Sequence, residues 1–174
     1  MDRAGLAAFI ALLAMTGCTK KLDPNVELSQ TFRTAAGFVV ISYPRGMVAK
    51  QVTVPVAEIR AGTSGLDPND IVFITFFPKS DMTLDAFVDR THAGPATSTK
   101  AWNERSRTAG TCLGKYPGIE VTATFEGDDG KPYRYWSCDF IDQGRAIHLG
   151  YGCLEAATET DVPVLRRIVD SARL

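Results

Sequence analysis

The chain has 174 residues, of which 45% are hydrophobic and 22% charged, a length and balance typical of one globular domain. Its 19 basic and 20 acidic residues give a formal net charge of -1 and are spread along the chain without blocks. Proteins that bind nucleic acid usually carry a basic stripe or a high isoelectric point. The composition therefore predicts no nucleic-acid partner.

The first residues have the features of an export signal. A run of apolar or small residues extends from Ala4 to Met15; a membrane-spanning helix needs about 20 such residues, whereas a shorter run suits a signal peptide. The small residues Thr16 and Gly17 then precede Cys18, and polar residues follow it. This segment resembles the lipobox of bacterial lipoproteins, in which the cysteine receives diacylglycerol and becomes the mature N-terminus.

The lipobox resemblance predicts a signal peptide over residues 1–17, a lipidated N-terminus and polar tether over 18–31, and one domain over 32–174. It implies attachment to a membrane through acyl chains, palmitate among them, on Cys18, and durable attachment needs more than one chain. Thr19 is not the aspartate that some Gram-negative bacteria use for retention in the inner membrane. The resemblance therefore favours the outer membrane, on its periplasmic face, over the inner membrane. The alternatives are an ordinary cleaved signal with an incidental cysteine and a cytosolic protein with an apolar first helix.

Three strands are predicted in the first half of the domain. Residues 38–43 are β-branched and aromatic and end at a Pro-Arg-Gly turn, which predicts a strand. Residues 52–56 alternate valine with other residues, and Pro55 favours an edge strand or a bulge there. Residues 71–77 are apolar at nearly every position, as expected for a central strand covered on two sides.

The period of the apolar residues then lengthens from two to about 3.6. This change predicts a helix over residues 81–92, capped by Asp81 or Thr83 and ended by Gly94-Pro95. The polar stretch 96–107 has no regular period, and the sequence assigns it no element.

The second half predicts an antiparallel meander followed by a helix. Apolar and polar residues alternate over 119–126, 133–141 and 145–153, and glycine-containing turns separate these runs. From about Thr160 the helical period returns, with a buried stripe that includes Val162, Leu165, Ile168, Val169 and Ala172. Strands with interspersed helices predict an α+β fold, a single domain with a mainly antiparallel sheet flanked by helices.

Three segments are similar to one family of proteins. Tyr43–Met47 (YPRGM) resembles the Tyr-Pro-x-Gly-Trp element of the PsbP-like and DcrB-like proteins, Met82–Val88 looks like their helix after the central strand, and Leu165–Ala172 is similar to their last helix. The resemblance implies an αβα sandwich and an accessory or scaffold role in an envelope or membrane complex. It brings no catalytic residues with it.

Three cysteines remain beyond the anchor, in a compartment where disulfides form. If Gln143-Gly144 is a two-residue turn, Cys138 faces Leu149. Cys138 and Cys153 are then about 13 Å apart along the strands, whereas a disulfide requires Cα atoms within about 4.4–6.8 Å. The sequence therefore predicts that any disulfide joins Cys112 to Cys138 or to Cys153. The alternative for Cys138 is a buried free thiol.

The sequence shows no catalytic or metal-binding pattern. His92 and His148, the two histidines, lie far apart and have no spaced partner, so we expect surface or packing roles, no metal and no cofactor. Ser64 lacks the spacing of a nucleophile elbow, and Asp67–Asp70 lacks that of a calcium loop and is explained as a turn. A hydrolase would require one of the histidines to meet a serine and an aspartate.

One aromatic patch is a candidate binding surface. Strand alternation puts Tyr133 and Tyr135 on the face opposite Trp136, together with Ser137 and Asp139. An uncovered patch of this kind could meet a partner or a ligand. The alternative is that the tyrosines pack beneath a helix with their hydroxyls at its rim.

These observations together predict a non-catalytic cell-envelope lipoprotein, not an enzyme, that acts as an accessory or scaffold protein and binds another envelope protein. The main alternative is a small-ligand-binding lipoprotein that uses the Tyr133 and Tyr135 face. A cleft at that face would favour the alternative, and burial of the face under the helix at residues 81–92 would count against it.

Overall fold

The fold is described from a computed structural model, which covers residues 23–35, 37–53, 56–77 and 80–174. The predicted signal peptide and Cys18 lie outside these residues. The described residues form nine strands, two α-helices and a short 3-10 helix, as follows: β1 Gln30–Arg33, β2 Val40–Tyr43, β3 Val48–Thr53, β4 Val56–Arg60, β5 Ile71–Phe77, α1 Leu84–Ser98, β6 Lys100–Cys112, β7 Tyr116–Glu126, β8 Pro132–Asp142, β9 Arg145–Leu154, the 3-10 helix Glu155–Ala157 and α2 Thr158–Asp170.

Seven of the strands form one sheet in the order β3-β4-β5-β9-β8-β7-β6, and β1 and β2 form a separate pair. Every neighbouring pair in the large sheet is antiparallel. Helix α1 connects the interior strand β5 to the far edge strand β6 and packs on β6, β7 and β8. Helix α2 packs on β9, β5 and β2. The predicted α+β sandwich with an antiparallel sheet is confirmed.

Strand β5 is covered on both faces, as its sequence predicted. Ile74 and its alternate neighbours lie in the main core with Leu165 and Ile168 of α2. On the other face Phe77 meets Phe87 of α1 edge to face, with ring centroids 5.9 Å apart. Burial on two sides explains why this strand lacks polar alternation.

The meander also has the predicted register. Cys138 pairs with Leu149 across the β8–β9 hairpin. Neighbouring strands turn their apolar residues to opposite faces of the sheet. Val121 of β7 packs against Val88 of α1, whereas Trp136 of β8 lies in the core beneath α2. Each helix therefore covers its own apolar region of one sheet.

The prediction of a single strand around residues 52–56 is wrong. The chain forms two strands there, because Thr53 of β3 pairs with Val56 of β4. β3 is the edge strand of the sheet, its register shifts between Gln51 and Thr53, and Val52 is 45% exposed. Val52 therefore fits an extended edge and does not mark a buried face.

Helix α1 continues beyond its predicted end at Gly94-Pro95, to Ser98. A proline removes one backbone donor, and the last turn is supported by threonine hydroxyls: Thr97 donates to the carbonyl oxygen of Ala93 at 3.0 Å and Thr99 to that of Pro95 at 2.6 Å. The predicted cap at Thr83 is correct, since its hydroxyl accepts from the amide of Ala86 at 3.3 Å.

The sequence did not predict strands β1 and β6. The stretch at 96–107 contains most of β6, whose side chains are largely polar and exposed, so no alternation marks it. β1 begins at Gln30, before the predicted domain start, and Arg167 of α2 donates to the carbonyl oxygen of Val26 at 3.0 Å. No helix in the described ranges is long and apolar enough to cross a membrane.

Candidate functional site

A set of polar side chains lies between α1 and the sheet. This buried cluster consists of Thr91 and His92 from α1, Tyr135, Ser137 and Asp139 from β8, and His148 from β9. Strand alternation puts the three β8 residues on one face, and Asp139 pairs directly with His148 in the β8–β9 register. The cluster therefore follows from the sheet register and from one helix laid across it.

Asp139 is the centre of the buried cluster and is fully buried. His148 Nδ1 lies 2.6 Å from its Oδ1, and His92 Nε2 lies 3.3 Å from its Oδ2. The Ser137 hydroxyl donates to Oδ2 at 3.0 Å, and the Thr91 hydroxyl lies 3.3 Å from Oδ1. Both carboxylate oxygens thus have partners, as a buried charged group requires.

The charge state of Asp139 follows from these neighbours. Burial alone raises the pKa of a carboxyl group, but the charge and hydrogen bonds of His148, followed by those of His92, outweigh burial and hold the pKa of Asp139 well below its usual range. The carboxyl group is therefore ionised at neutral pH and acts purely as an acceptor.

Tyr135 extends the cluster on its far side. Its hydroxyl lies 3.1 Å from Nε2 of His148, and its ring stacks on Phe73 with centroids 5.2 Å apart. Burial raises the pKa of Tyr135 well above its usual value, so the phenol keeps its proton. Tyr135, His148 and Asp139 thus form one continuous hydrogen-bonded chain.

The cluster brings a serine, a histidine and an aspartate together but does not arrange them as a hydrolytic triad. In a triad the aspartate and the serine contact opposite ring nitrogens of the histidine. Here Ser137 Oγ and Asp139 Oδ2 both lie 3.3 Å from the same atom, His92 Nε2. His92 Nδ1 is buried without a hydrogen-bond partner among the described residues, and Ser137 is fully buried. The geometry does not activate this serine.

A cleft of about 370 Å³ leads from the surface to the edge of the cluster. Phe73, Phe77 and Arg90 line it, and so do Tyr135 and His148 of the cluster. The volume lies within the range of small-molecule sites. The cleft therefore borders one side of an otherwise enclosed cluster.

Three members of the cluster are residues of the kind that ligate metals. His92, Asp139 and His148 each offer one ligand atom, and these atoms lie within 4.8 Å of one another. The sequence predicted no metal site, because these residues are far apart along the chain. Two histidines and one carboxylate are a ligand set that zinc sites use.

The predicted aromatic patch is not an open surface. Tyr135 is 7% exposed and Tyr133 is 5% exposed. Tyr135 lies in the cluster beneath α1, while Tyr133 stacks on Phe125 and donates to Asp129 at 3.1 Å. The two tyrosines share a sheet face but belong to different surroundings.

Cys112 and Cys138 form a disulfide, with Cα atoms 5.8 Å apart. This is one of the two pairings that the sequence left open, and Cys138 is not a free thiol. Cys153 is the free cysteine of the described residues, and it is fully buried. Burial, and then the nearby Asp70, raises the pKa of the Cys153 thiol to about 12.

The turn at Asp67–Asp70 holds a second buried carboxyl group. Asp67 accepts from the amide of Asn69 at 2.9 Å, as a turn aspartate does. Asp70 is fully buried, and its Oδ2 has no hydrogen-bond partner in the described part of the chain. Burial, and then Asp161 of α2, raises the pKa of Asp70 to about 8. The turn explains the hydrogen bond between Asp67 and Asn69 but not the burial of the Asp70 carboxyl group.

Comparisons with known proteins identify the fold. No family model and no curated protein matches the sequence. Among solved structures, the chain is similar to cyanobacterial PsbP (CyanoP) from Synechocystis, with a TM-score of 0.58 and 14% identity over 83% of this chain and 91% of that chain. It is also similar to the Ran-binding protein Mog1p of Saccharomyces cerevisiae, with a TM-score of 0.55 and 10% identity over 83% of this chain and 94% of that one.

A third similar structure is LpqN of Mycobacterium tuberculosis, a protein involved in cell envelope biogenesis. Its TM-score is 0.53 at 16% identity, over 82% of this chain and 88% of that one. At such low identities the likeness establishes a shared fold. The chain therefore has the PsbP-like fold that its sequence suggested.

Proposed function

We propose that this protein is a non-catalytic lipoprotein of the bacterial cell envelope whose single domain binds and supports another envelope protein. The observation that carries the proposal is the PsbP-like fold, which the chain shares over most of its length with a protein involved in cell envelope biogenesis. A fold alone does not define a function, so the proposal also depends on the export signal in the sequence.

The anchor in this proposal is a lipid on Cys18. The apolar run up to Met15, the small residues Thr16 and Gly17 and the polar residues that follow the cysteine support it. We place the protein at the outer membrane, on the periplasmic side, because Thr19 is not an inner-membrane retention signal. The buried disulfide between Cys112 and Cys138 agrees with an oxidising compartment.

The buried cluster supports a role without catalysis. Ser137 and Asp139 are fully buried and His92 is 3% exposed, so a substrate has little access to them. Asp139 accepts hydrogen bonds from residues of three elements, and these bonds join α1 to the sheet. We therefore assign the cluster first to the stability of the domain.

The cleft favours one alternative function, the binding of a small apolar ligand. Its walls include Phe73 and Phe77, and Tyr135 from the predicted aromatic face contributes to it. Tyr133 lies outside the cleft, against Phe125. A ligand would therefore contact one of the two predicted tyrosines and the β5 phenylalanines.

Affinity purification of the tagged, lipidated protein from its own membranes tests both functions. A protein that copurifies in stoichiometric amount supports the scaffold function, and a copurifying small molecule without such a protein supports the alternative. Cys18→Ser is the matched control for the anchor, because it should move the protein from the membrane fraction to the soluble fraction. Unchanged partitioning of this variant would contradict the lipid anchor, and recovery of neither protein nor ligand would contradict both functions.

A further inference from the structure

We propose that His92, Asp139 and His148 form a binding site for a divalent transition-metal ion such as Zn²⁺, beneath α1. The site is separate from the proposed partner-binding function, and its test does not depend on a partner. It is argued from the ligand chemistry, the distances, the local charge and the access route.

The distances are close to those of a metal site. Zinc binds imidazole nitrogen and carboxylate oxygen at about 2.0–2.2 Å, so ligand atoms of a tetrahedral site lie roughly 3.3 Å apart. His92 Nε2 and Asp139 Oδ2 are 3.3 Å apart. His148 Nδ1 and Asp139 Oδ1 are closer, at 2.6 Å, because a proton lies between them. Replacement of that proton by a metal ion requires the two groups to separate by less than about 1 Å.

The charge of the site calls for a cation. Asp139 is a fully buried carboxyl group, and a buried carboxylate is costly without a counter-charge. Among the described residues, its ion-pair partners are the two imidazoles and include no lysine or arginine. A metal ion held by both imidazoles would supply this counter-charge.

The surroundings of the ligands are those of an oriented metal site. Histidine ligands usually carry a hydrogen-bond partner on the ring nitrogen that does not bind the metal. The Tyr135 hydroxyl occupies this position on His148, at 3.1 Å from Nε2, and the Ser137 hydroxyl lies 3.0 Å from Asp139 Oδ2. Nδ1 of His92 is buried with no partner in the described residues, so His148 is the histidine whose outer hydrogen bond is in place.

The cleft supplies a path and a place for a fourth ligand. His148 and Thr91 line both the cleft and the cluster. A metal ion can reach the cluster from this side, and a water molecule can complete four-coordination there. Three protein ligands and one open position are the arrangement of accessible zinc sites.

The competing explanation is a hydrogen-bonded core cluster that binds no metal. The chain offers a direct way to distinguish the two, because His92 and His148 are its two histidines. The full chain, purified without a polyhistidine tag and labelled with ¹⁵N-histidine, gives two imidazole spin systems in NMR. Titration with Zn²⁺ should change the ring-nitrogen shifts of both histidines together, with saturation at about one equivalent. Metal binding at the Cys153 thiol or at Asp70 would leave both rings unchanged.

Variants test the assignment of each group. His92→Gln and Asp139→Asn should abolish stoichiometric binding, and Tyr135→Phe, which removes the outer hydrogen bond, should weaken it about 10–100-fold. Asp85→Asn, an exposed acid in the first turn of α1, is the control and should bind like the parent. Circular dichroism checks that each variant folds, and Co²⁺ with the folded parent should give the visible absorption of a four-coordinate site. Unchanged histidine signals in the folded parent at excess Zn²⁺ would overturn the proposal.

Discussion

The buried acid Asp70 makes the stability of this domain depend on pH in a predictable direction. It is fully buried, its Oδ1 accepts from the amide of Leu154 at 3.4 Å, and its Oδ2 has no partner among the described residues. Burial, and then the carboxyl group of Asp161, raises its pKa from 3.8 to about 8. The folded protein therefore keeps a proton that the unfolded chain loses near pH 4.

The sign of the effect follows from proton binding. Between about pH 4 and pH 8 the folded state holds one proton more than the unfolded state at Asp70, so the free energy of unfolding falls as the pH rises. The slope approaches about 1.4 kcal/mol per pH unit, or roughly 2.7 kcal/mol between pH 5 and pH 7. The contribution is fully present below the unfolded pKa and is lost as the pH rises to about 8. Total stabilities are about 5–15 kcal/mol, so this change is readily measured.

The substitution Asp70→Asn isolates this effect. Asparagine keeps an oxygen for the Leu154 amide and cannot ionise, so the variant should lose the dependence between pH 5 and pH 8 and should exceed the parent in stability at pH 8. Urea unfolding at pH 5, 6, 7 and 8, with the disulfide intact, measures the difference between parent and variant. Asp128→Asn, in an exposed turn, is the control and should follow the parent. Parallel curves for parent and Asp70→Asn would refute the reasoning.

Three further predictions concern the disulfide and the free thiol. In Gly118→Ala, the new Cβ would lie 2.5 Å from the Asp139 carbonyl oxygen and 2.5 Å from Cys112 Sγ. We therefore expect the free energy of unfolding, measured with urea, to fall by about 1–3 kcal/mol or more. A decrease below about 0.5 kcal/mol would contradict the packing described. Replacement of Cys112 and Cys138 by alanine removes a link between residues 26 apart in sequence. The larger entropy of the unfolded chain should then lower the free energy of unfolding by about 3.5 kcal/mol. An unchanged denaturation midpoint would count against a formed disulfide. Cys153 is fully buried and burial raises its pKa to about 12, so it should react with a thiol reagent only as the protein unfolds. Rapid labelling of Cys153 in the folded protein, located by peptide mapping so that Cys18 is not counted, would exclude this environment.

The sequence predicted best where local signals act together. In the meander, alternation and the Gln143-Gly144 turn fix the register, and that register is correct. Strand β5 was found because seven consecutive mainly apolar residues require cover on two sides. β6 was missed because it is an exposed edge strand, and edge strands carry polar residues on both faces.

The part of the buried cluster that lies on β8 and β9 was also within reach of the sequence. A register that pairs Cys138 with Leu149 pairs Asp139 with His148, and a strand face with several polar groups between apolar neighbours is a sign of a buried network. His92 could not be assigned in this way. It meets Asp139 through the path of α1 across the sheet, over a separation of 47 residues, and no local pattern fixes that path.

Strand β8 links the two faces of the sheet through two consecutive residues. Cys138 points towards α2 and is joined to Cys112 of β6, and Asp139 points towards α1 and holds the buried cluster. Gly118 of β7 pairs with Phe140, and its lack of a side chain lets the disulfide pass beside the Asp139 backbone. The disulfide therefore fixes the backbone from which the Asp139 carboxylate extends. The disulfide on one face and the hydrogen bonds of the buried cluster on the other thus act on the same two residues of β8, and both hold the Asp139 carboxylate between the two imidazoles.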